Sequence, residues 1–439
     1  MKKNIFFIAV AAVLFVAGVF SLWRLFLKHP ERPNIVLVVI DTLRADHLPF
    51  YGYPKETAPF LSQLAAQGVV FENAYAASSW TAPATASILT SLYPFQHGVT
   101  MGLLLQKRLI DVNPSVKINR IPEGLTTLPE VLRMNGYRTF GVSDNINISY
   151  HQGFGQGFDR LMEFSHRGGP FINEQILQME KEILAGGKYF LYVHYNDPHK
   201  PYKIPLDEDE KSGDRLTDKK AIYDKEVALV DHCIKGLFDR FGWSQNTLLI
   251  ITADHGEEMN EKRRYGHGKS LFNTVIHVPL LFYYPHGSLF GGKRLTANVS
   301  TMDILPTLIS VLDFPRMKGL SGQDLIPEVR GATKSSGDRF IFSHLQVEMT
   351  SRGDILQKAC LYREHKYIYK SPDKHLLFDL KEDPGERRNR FADDRKMGRR
   401  LAASLFAYEK DSPRYNAAYA DIELDNKTLE QLRTLGYIR

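Results

Sequence analysis

The segment Asn34-Ile-Val-Leu-Val-Val-Ile-Asp41 decides the fold, because six consecutive apolar residues lead directly into an acidic one. A second segment of the same kind, Thr247-Leu-Leu-Ile-Ile-Thr-Ala253, leads into Asp254 and His255. Short runs rich in Val and Ile are typical of strands buried on both faces, as in a parallel sheet covered by helices. Ligands of such sheets bind beyond the carboxyl ends of the strands. We therefore expect Asp41, Asp254 and His255 to meet at one edge of the sheet.

Strand-like and helix-like segments alternate from residue 34 to about residue 313, which predicts an α/β fold with a mostly parallel central sheet and helices on both faces. The predicted strands are Ile35–Ile40, Tyr137–Val142, Tyr189–Tyr195, Thr247–Thr252 and Val278–Tyr284. The predicted helices are Ala58–Gln67, Ala84–Leu92, Leu128–Met134, Asn173–Leu184, Lys220–Phe241 and Met302–Leu312. We expect this pattern to define a catalytic domain over residues 34–335.

A different pattern begins near Phe340, where short runs are separated by Pro and Gly turns. The runs Lys358–Tyr362, Lys366–Lys370 and His375–Asp379 predict antiparallel strands, and a helix is expected near Asp393–Glu409. Residues 340–439 are therefore predicted to form a small antiparallel α+β subdomain at the C-terminus.

Composition limits the class of protein. The chain has 439 residues, of which 43% are hydrophobic and 24% are charged, as in a globular protein. Its formal charge of +6 is not concentrated in a Lys/Arg block interleaved with aromatic residues, which argues against a nucleic-acid partner. Cys233 and Cys360 lie far apart and outside every motif, so we interpret them as buried free thiols, with pairing in an oxidising compartment as the alternative.

The N-terminus carries a candidate membrane anchor. Ile5–Trp23 is a stretch of 19 residues without a charge, preceded by Lys2 and Lys3. At about 1.5 Å per residue it spans roughly 28 Å, close to the hydrocarbon thickness of a bilayer. This predicts an uncleaved transmembrane helix within residues 1–28, a cell-membrane location and an extracytoplasmic catalytic domain (periplasmic or extracellular). A cleaved signal peptide is the alternative.

The segment Ser78-Ser-Trp-Thr-Ala-Pro-Ala-Thr85 is a candidate nucleophile turn. Pro83 suits the first turn of a helix, so Thr81 is expected just ahead of the predicted helix Ala84–Leu92, facing its free N–H groups. Such a position binds anions. A threonine hydroxyl is a weak nucleophile until a base or a metal activates it. An ordinary capping turn is the alternative interpretation.

A single divalent cation could supply that activation. Asp41, Asp254 and His255, together with the Thr81 oxygen, offer four donors for one ion. An oxygen-rich set with one histidine suits calcium, magnesium, manganese or zinc, so the sequence leaves the identity of the metal open.

Two further segments supply candidate catalytic or binding side chains. In Leu191-Tyr-Val-His-Tyr-Asn-Asp-Pro-His-Lys-Pro-Tyr202, His199 is the main candidate, with His194 and Asp197 as weaker ones, for binding a substrate oxygen or a second metal. In Tyr265-Gly-His-Gly-Lys-Ser270, the glycines allow close approach to a ligand, and His267 and Lys269 could contact it. A glycine-rich surface turn is the alternative for this second segment.

These segments resemble, in order, those of the sulfatase family within the alkaline phosphatase superfamily. The resembling segments are Asn34–Asp46, Gly68–Tyr75, Leu89–Pro94, Pro198–Tyr202, Ala253–Glu258, Val299–Thr307 and Leu377–Pro384. The resemblance covers nearly the whole chain after the anchor. It implies an alkaline phosphatase-like fold, a divalent metal and catalysis at the Thr81 position.

The chain departs from the family pattern at two places. The family's nucleophile is a Cys or Ser that matures to formylglycine and is followed by an Arg, whereas this chain has Thr81-Ala-Pro-Ala-Thr85. The paired aspartates of the first strand are reduced to Asp41, with Thr42 in the second position. A threonine nucleophile instead resembles the phosphodiesterases and the membrane-anchored phosphoethanolamine or phosphoglycerol transferases of the superfamily. That resemblance implies a phospho-threonine intermediate, with His199 and His267 binding either the phosphoryl oxygens or a second zinc.

Three functions follow as expectations. The first is a membrane-anchored hydrolase or transferase that cleaves a phosphate ester, either a diester or a phospho-headgroup, through a covalent Thr81 intermediate. The second is a sulfatase that works without formylglycine, and the third is an inactive family member that acts as a binding protein. The substrate is expected to be a small-molecule, glycan or lipid ester. Its recognition is expected to depend on loops such as Leu103–Ile121 and Asp207–Asp218, which carry no recognisable code.

Overall fold

The computed structural model describes residues 32–103, 118–287, 290–331, 338–347, 355–415 and 418–420. The predicted anchor at 1–28 and most of the loop Leu103–Ile121 lie outside these residues. Within the described part of the chain, no helix combines the length and the apolar character needed to cross a membrane. The anchor therefore stays a prediction.

The described strands are numbered in chain order. They are β1 (Asn34–Ile40), β2 (Val69–Tyr75), β3 (Ile118–Arg120), β4 (Tyr137–Ser143), β5 (Arg160–Glu163), β6 (Lys188–Tyr195), β7 (Thr247–Thr252), β8 (Glu258–Met259), β9 (Tyr265–Gly266), β10 (His277–Val278), β11 (Leu280–Tyr283), β12 (Lys293–Ser300), β13 (Phe340–Val347), β14 (Ile355–Tyr362), β15 (His365–Ser371), β16 (Lys374–Asp379) and β17 (Ala418–Ala420).

The described α-helices lie mainly between the strands of the central sheet. They are Pro59–Gln67, Thr81–Thr90, Pro94–His97, Leu128–Met134, Gly169–Gln178, Glu180–Ile183, Arg215–Phe241, Trp243–Asn246, Asn273–Ile276, Ile304–Val311, Ile326–Val329 and Arg395–Asp411. The helix predicted over Asn173–Leu184 is divided in two at Met179. The helix predicted from Lys220 begins at Arg215, because the Asp214 side chain accepts a hydrogen bond from the Thr217 N–H at 2.9 Å and caps it.

Nine of the described strands form the central sheet, in the order β12-β2-β11-β7-β1-β6-β4-β5, with β10 also paired to β2. The pairs β1–β6, β1–β7, β4–β6, β4–β5 and β2–β12 are parallel. The mostly parallel sheet is thus confirmed. The strand predicted at Val278–Tyr284 is the exception, because β10 and β11 run antiparallel to their neighbours and Pro279 separates them. Hydrophobic pattern does not encode strand direction, so the mixed character of the sheet was not predicted.

Alternation along β1 produces two apolar layers. Ile35, Leu37 and Val39 pack on one face, with the helices Thr81–Thr90 and Ile304–Val311. The residues between them pack on the other face, with the helices Pro59–Gln67 and Arg215–Phe241. Because both faces are covered, β1 is apolar throughout, as its sequence indicated.

The C-terminal strands β13–β16 form a separate antiparallel sheet in sequence order, against which the helix Arg395–Asp411 packs through Leu401 and Leu405. This agrees with the predicted antiparallel α+β subdomain, although β13 was not among the predicted strands. Residues 416–417 and 421–439 of the predicted subdomain lie outside the described residues.

A buried ion pair links this small sheet to the catalytic body. Lys366 Nζ lies 2.8 Å from Glu386 Oε1 and 2.8 Å from the side-chain oxygen of Asn273, and both charged groups are buried.

We expect Glu386→Gln to lower the free energy of unfolding by about 3–5 kcal/mol, because it leaves a buried ammonium without its counter-charge. Urea denaturation measures the change. Asp393→Asn, which breaks an exposed pair with Arg388, serves as the control and should change stability by less than about 1 kcal/mol. Similar losses in both variants would contradict the expectation.

Candidate active site

The carboxyl ends of the parallel strands bring the predicted metal ligands to one edge of the sheet. Asp41 follows β1, Asn145 follows β4 by two residues, Asn196 follows β6, and Asp254 follows β7 by two residues. Backbone pairing continues past the strand ends, since the Asp41 N–H donates to the Tyr195 carbonyl at 2.9 Å. This extension fixes the position of Asp41 relative to the neighbouring strand.

Asp41 and Asp254 form a buried pair of carboxylates. Their oxygens lie within 4.8 Å of each other, and both side chains are fully buried. Asp41 Oδ2 accepts from the Asn145 side-chain amide at 2.6 Å, and Asp254 Oδ1 accepts from the His255 N–H at 2.8 Å. The other oxygen of each carboxylate has no hydrogen-bond partner among the described residues. Two unsatisfied carboxylate oxygens in a dry interior fit a cation.

The pKa values of Asp41 and Asp254 are shifted in opposite directions by burial and by the charges around the pair. Burial and the negative charge of Asp254 raise the pKa of Asp41 above its ordinary value. Burial also opposes ionisation of Asp254, but the interactions with His255 and His194 outweigh it and lower the pKa of Asp254. One carboxylate is therefore held in its charged form at the expense of the other.

His255 presents a free nitrogen to the two carboxylates. Its Nδ1 lies 2.9 Å from the Gly256 carbonyl and donates to it, which leaves Nε2 with a lone pair. Nε2 lies 3.6 Å from Asp41 Oδ1, 3.6 Å from Asp254 Oδ2 and 3.3 Å from Thr81 Oγ1. Burial lowers the pKa of His255, which favours the neutral ring that binds metals.

Thr81 lies beside this cluster, at the start of a fully buried helix. The prediction of a helix beginning at Ala84 was wrong, because Thr81 is itself the first helical residue and Pro83 falls within the first turn. Proline fits there because the N–H groups of the first turn have no partner within the helix. The Thr81 hydroxyl is buried and lies 3.3 Å from Nε2 of His255, so the candidate nucleophile is adjacent to a candidate metal ligand.

His194 adds a donor to which the sequence interpretation gave less weight. It lies on β6, is fully buried, and neither of its ring nitrogens has a hydrogen-bond partner among the described residues. Its Nε2 lies 3.8 Å from Asp254 Oδ2, and its donor atom lies within 4.8 Å of those of Asp41 and Asp254. The residues therefore fit a divalent ion. Asp41 and Asp254 would hold it with His194 or His255, and Thr81 would lie next to it.

A second group of histidines lies next to the metal cluster. The His267 ring is 4.5 Å from the His255 ring and 4.9 Å from the His199 ring, measured between centroids. His267 Nδ1 lies 2.9 Å from Glu257 Oε2. Burial opposes protonation of His267, but Glu257 outweighs it and raises the pKa of the ring. Burial lowers the pKa of His199 to about 4, so protonation is disfavoured at His199 and favoured at His267.

The glycine after His267 ties this group to the nucleophile turn. Gly268 donates its N–H to the Ser79 carbonyl at 2.8 Å. Its φ is +67°, and a Cβ atom there would lie 3.3 Å from the Trp80 ring. Glycine is required because the loop takes a left-handed conformation in contact with an aromatic side chain. The contact places His267 next to the turn that carries Thr81.

Two candidates make other contacts. Lys269 is exposed, and its ammonium donates to the Tyr265 carbonyl at 3.2 Å. Asp197 Oδ1 accepts from the Gly169 N–H at 2.9 Å, at the first residue of a helix. The role of Lys269 and the weaker candidacy of Asp197 stay predictions. The roles of Thr81, His199, His267 and the metal ligands remain predictions.

Three further residues were not identified from the sequence. Asn145 orients Asp41, Glu257 holds His267, and Lys200 Nζ lies 3.9 Å from Glu257 Oε1. The position of Asn145, two residues beyond a predicted strand, was a usable signal. Glu257 and Lys200 lie within the family-like segments Ala253–Glu258 and Pro198–Tyr202, but they were not singled out, because acidic and basic loop residues are usually solvated.

The fold and the cluster define a class of protein. A mostly parallel sheet, paired carboxylates at its carboxyl edge and a hydroxyl at the start of a buried helix are the features of an alkaline phosphatase-like hydrolase with a candidate metal site. Comparison with known proteins gives the family. A sequence model of the sulfatase family matches residues 33–314, so the chain belongs to the sulfatase family, and the resemblance seen in the sequence is confirmed.

Individual relatives are similar over most of their length. The chain is 22% identical to the Delta 4,5-hexuronate-2-O-sulfatase of Bacteroides thetaiotaomicron, over 93% of this chain and 94% of that protein. Its fold matches BT4656, solved with its substrate D-glucosamine-2-N,6-O-disulfate, with a TM-score of 0.71 at 17% identity over 87% of this chain and 98% of that one. The phosphonate monoester hydrolase of Agrobacterium radiobacter matches with a TM-score of 0.68 at 19% identity, over 86% and 96% of the two chains. At these identities the structural likenesses support the fold alone.

Proposed function

We propose that this sulfatase-family hydrolase cleaves a phosphate ester, either a diester or a phospho-headgroup, by attack of Thr81. The observation that carries the proposal is the position of the Thr81 hydroxyl. It is buried, lies 3.3 Å from His255 Nε2 and borders the Asp41–Asp254 pair. A hydroxyl in an ordinary capping turn has no reason to border two buried carboxylates with unsatisfied oxygens. For the same reason we favour an enzyme over an inactive binding protein.

The chain's own residues can carry both halves of the reaction. A divalent ion, when bound, would lower the pKa of the Thr81 hydroxyl and polarise the ester. The Thr81 hydroxyl gives up its proton to solvent, and its oxygen bonds to phosphorus as the bond to the leaving oxygen breaks, which gives a phospho-threonine and, once the leaving oxygen is protonated, an alcohol. His267, whose Nδ1 is engaged by Glu257, retains Nε2 to protonate the leaving oxygen. Water, or an acceptor hydroxyl in a transferase, then displaces Thr81 and restores the free enzyme.

The choice of phosphate over sulfate rests on the chemistry of threonine. A hydrated aldehyde can expel a bound sulfate through its second hydroxyl, whereas a threonine ester has no second hydroxyl on the same carbon. Its release requires attack on the transferred group itself, as in metal-assisted hydrolysis of a phosphoester. The arginine that accompanies formylglycine in the family is also absent, and a buried Thr85 stands in its place.

The second candidate is a sulfuric ester hydrolase that works without formylglycine. It is supported by the relatives, since this chain matches 94% of the length of the Bacteroides thetaiotaomicron protein named above, which is a sulfatase. The relatives therefore favour sulfate-ester hydrolysis, whereas the presence of Thr81 at the nucleophile position favours phosphate-ester hydrolysis. The proposed location, with a catalytic domain outside the cytoplasm on an N-terminal anchor, rests on the apolar segment Ile5–Trp23 and is common to both candidates.

Paired substrates separate the two candidates. We expect 4-nitrophenyl phosphate and bis-4-nitrophenyl phosphate to be turned over with a kcat at least about tenfold higher than that of 4-nitrophenyl sulfate, because water attacks a phospho-threonine more readily than a sulfo-threonine, which has no second hydroxyl to expel the sulfate. Mass spectrometry of the Thr81 peptide after brief exposure to each ester identifies the transferred group. A matched reaction with Thr81→Ala shows the background. Preference for the sulfate ester, with a sulfated Thr81, would establish the second candidate instead.

A further inference from the structure

A basic pocket lies beside the histidine group, formed by Lys200, Lys219 and Arg215 with Tyr202 and Tyr265 in its wall. Its volume is about 690 Å³. Among the described residues that line it, Asp218 contributes the one carboxylate, and its Oδ1 already accepts from the N–H and the hydroxyl of Ser212 at 2.7 Å each. The described lining of the pocket therefore carries three cationic side chains against one carboxylate.

Two ammonium groups of the pocket share one aromatic ring. Lys219 Nζ lies 4.0 Å from the centroid of the Tyr265 ring, and Lys200 Nζ lies 5.4 Å from it. Burial and the neighbouring Lys200 outweigh the attraction of Glu257 and Glu261 and lower the pKa of Lys219 to about 7, so a bound anion would favour the charged form of Lys219.

Two buried donors of the pocket have no partner. Lys219 Nζ and the Tyr202 hydroxyl are inaccessible to solvent and make no hydrogen bond with the described residues. Lys200 differs, because its Nζ lies 3.9 Å from Glu257 Oε1. Buried donors are normally satisfied, so an ammonium and a hydroxyl left open in one pocket indicate a ligand with acceptor oxygens.

The pocket is connected to the catalytic histidines through Glu257. One oxygen of this carboxylate lies 2.9 Å from His267 Nδ1, and the other faces Lys200 at 3.9 Å. Lys200 also directly follows His199 in the chain. The pocket and the histidine group therefore share Glu257 as a neighbour.

We propose that the basic pocket binds a second anionic group of the substrate, so that the ester cleaved at Thr81 belongs to a molecule with at least two anionic groups. This proposal rests on the proposed function only for the location of the reacting ester. The second group is a sulfate, a phosphate or a carboxylate, because each presents several acceptor oxygens to Lys219, Arg215 and Tyr202. Binding of this second group would also explain how the segment Asp207–Asp218, which borders the pocket, contributes to substrate specificity.

Binding of non-hydrolysable sulfonates tests the proposal without turnover. Calorimetry on the metal-bound Thr81→Ala protein compares 1,4-butanedisulfonate with 1-butanesulfonate. We expect the disulfonate to bind at least about tenfold more tightly, because its second group gains charge-assisted hydrogen bonds in the pocket. 4-Sulfobutanoate, with a carboxylate as its second group, distinguishes a carboxylate partner from a sulfate or phosphate partner.

Variants of neighbouring lysines supply the controls. Lys219→Gln should remove the advantage of the disulfonate and leave monosulfonate binding unchanged, whereas Lys219→Arg should retain the advantage. Lys220→Gln is the matched control, because Lys220 pairs with Glu261 at 3.7 Å and does not line the pocket. Equal affinities for the two sulfonates, or an equal loss in Lys220→Gln, would overturn the proposal. Because no step of this test uses Thr81, its failure is distinct from a failure of the proposed nucleophile.

Discussion

Replacing Thr81 with alanine is expected to lower kcat by about 10⁴-fold or more while the divalent ion stays bound. The variant removes the attacking oxygen and leaves Asp41, Asp254, His194 and His255 in place, so the metal cluster keeps its carboxylate and imidazole donors. Steady-state assays with 4-nitrophenyl phosphate and with 4-nitrophenyl sulfate measure the loss, and elemental analysis of the purified variant measures the metal. The effect should be the same for whichever ester the enzyme prefers, since both routes use the same hydroxyl.

Thr90→Ala is the control for this change. Thr90 belongs to the same buried helix, but its hydroxyl donates to the Ala86 carbonyl at 2.7 Å, which already accepts within the helix. We expect Thr90→Ala to keep full activity, so that a loss specific to Thr81 reflects chemistry and not packing of the helix. Undiminished turnover in Thr81→Ala, with metal present, would remove Thr81 from its proposed role.

The elements of the fold that were predicted are those whose burial gives a continuous apolar pattern in the sequence. β1 and β7 are covered on both faces, so each is an unbroken apolar run that can be recognised alone. β12 was missed because its first half alternates between half-buried and exposed residues and carries Lys293 and Arg294. β2 was missed because Glu72 and Asn73 interrupt it. The antiparallel direction of β11 depends on pairing with β2 and β7, which are distant in sequence.

In the site, too, the residues next to recognisable strands were predicted, and those that depend on contacts between distant segments were not. Asp41, Asp254 and His255 were predicted because each follows a recognisable strand, and strand ends share an edge. His194 received less weight, since a histidine within a strand does not reveal which face of the sheet it occupies. The contacts of Lys219 with Lys200 and Tyr265 join three separate segments, so the basic pocket could not be predicted from any one of them. Local pattern thus predicted the metal ligands, whereas the pocket required the tertiary structure.

Asp41→Asn is expected to act in opposite directions on the metal-free and metal-bound protein. Without the ion, Asp41 and Asp254 are two buried carboxylates within 4.8 Å of each other, and burial together with their repulsion raises the pKa of Asp41. Asparagine removes the charge and can still accept from the Asn145 amide, so the metal-free variant should melt about 1 °C higher, equivalent to about 1 kcal/mol for a chain of this length. With the ion, the loss of a ligand should abolish the metal-dependent rise in melting temperature. Activity should fall by about 10³-fold or more, because the hydroxyl is no longer activated.

Differential scanning calorimetry after chelation and after titration with Ca²⁺, Mg²⁺, Mn²⁺ or Zn²⁺ measures both effects in one experiment and identifies the ion that stabilises the wild type most. Asp197→Asn is the matched control, because Asp197 is also buried but accepts from the N–H of Gly169, the first residue of a helix. It should change the melting temperature of both forms equally and leave the metal-dependent shift intact, since the contact of Asp197 with the Gly169 N–H does not involve the ion. If Asp41→Asn destabilised the metal-free protein instead, the two carboxylates would already be compensated by protein groups. The assignment of this cluster as a cation site would then fail.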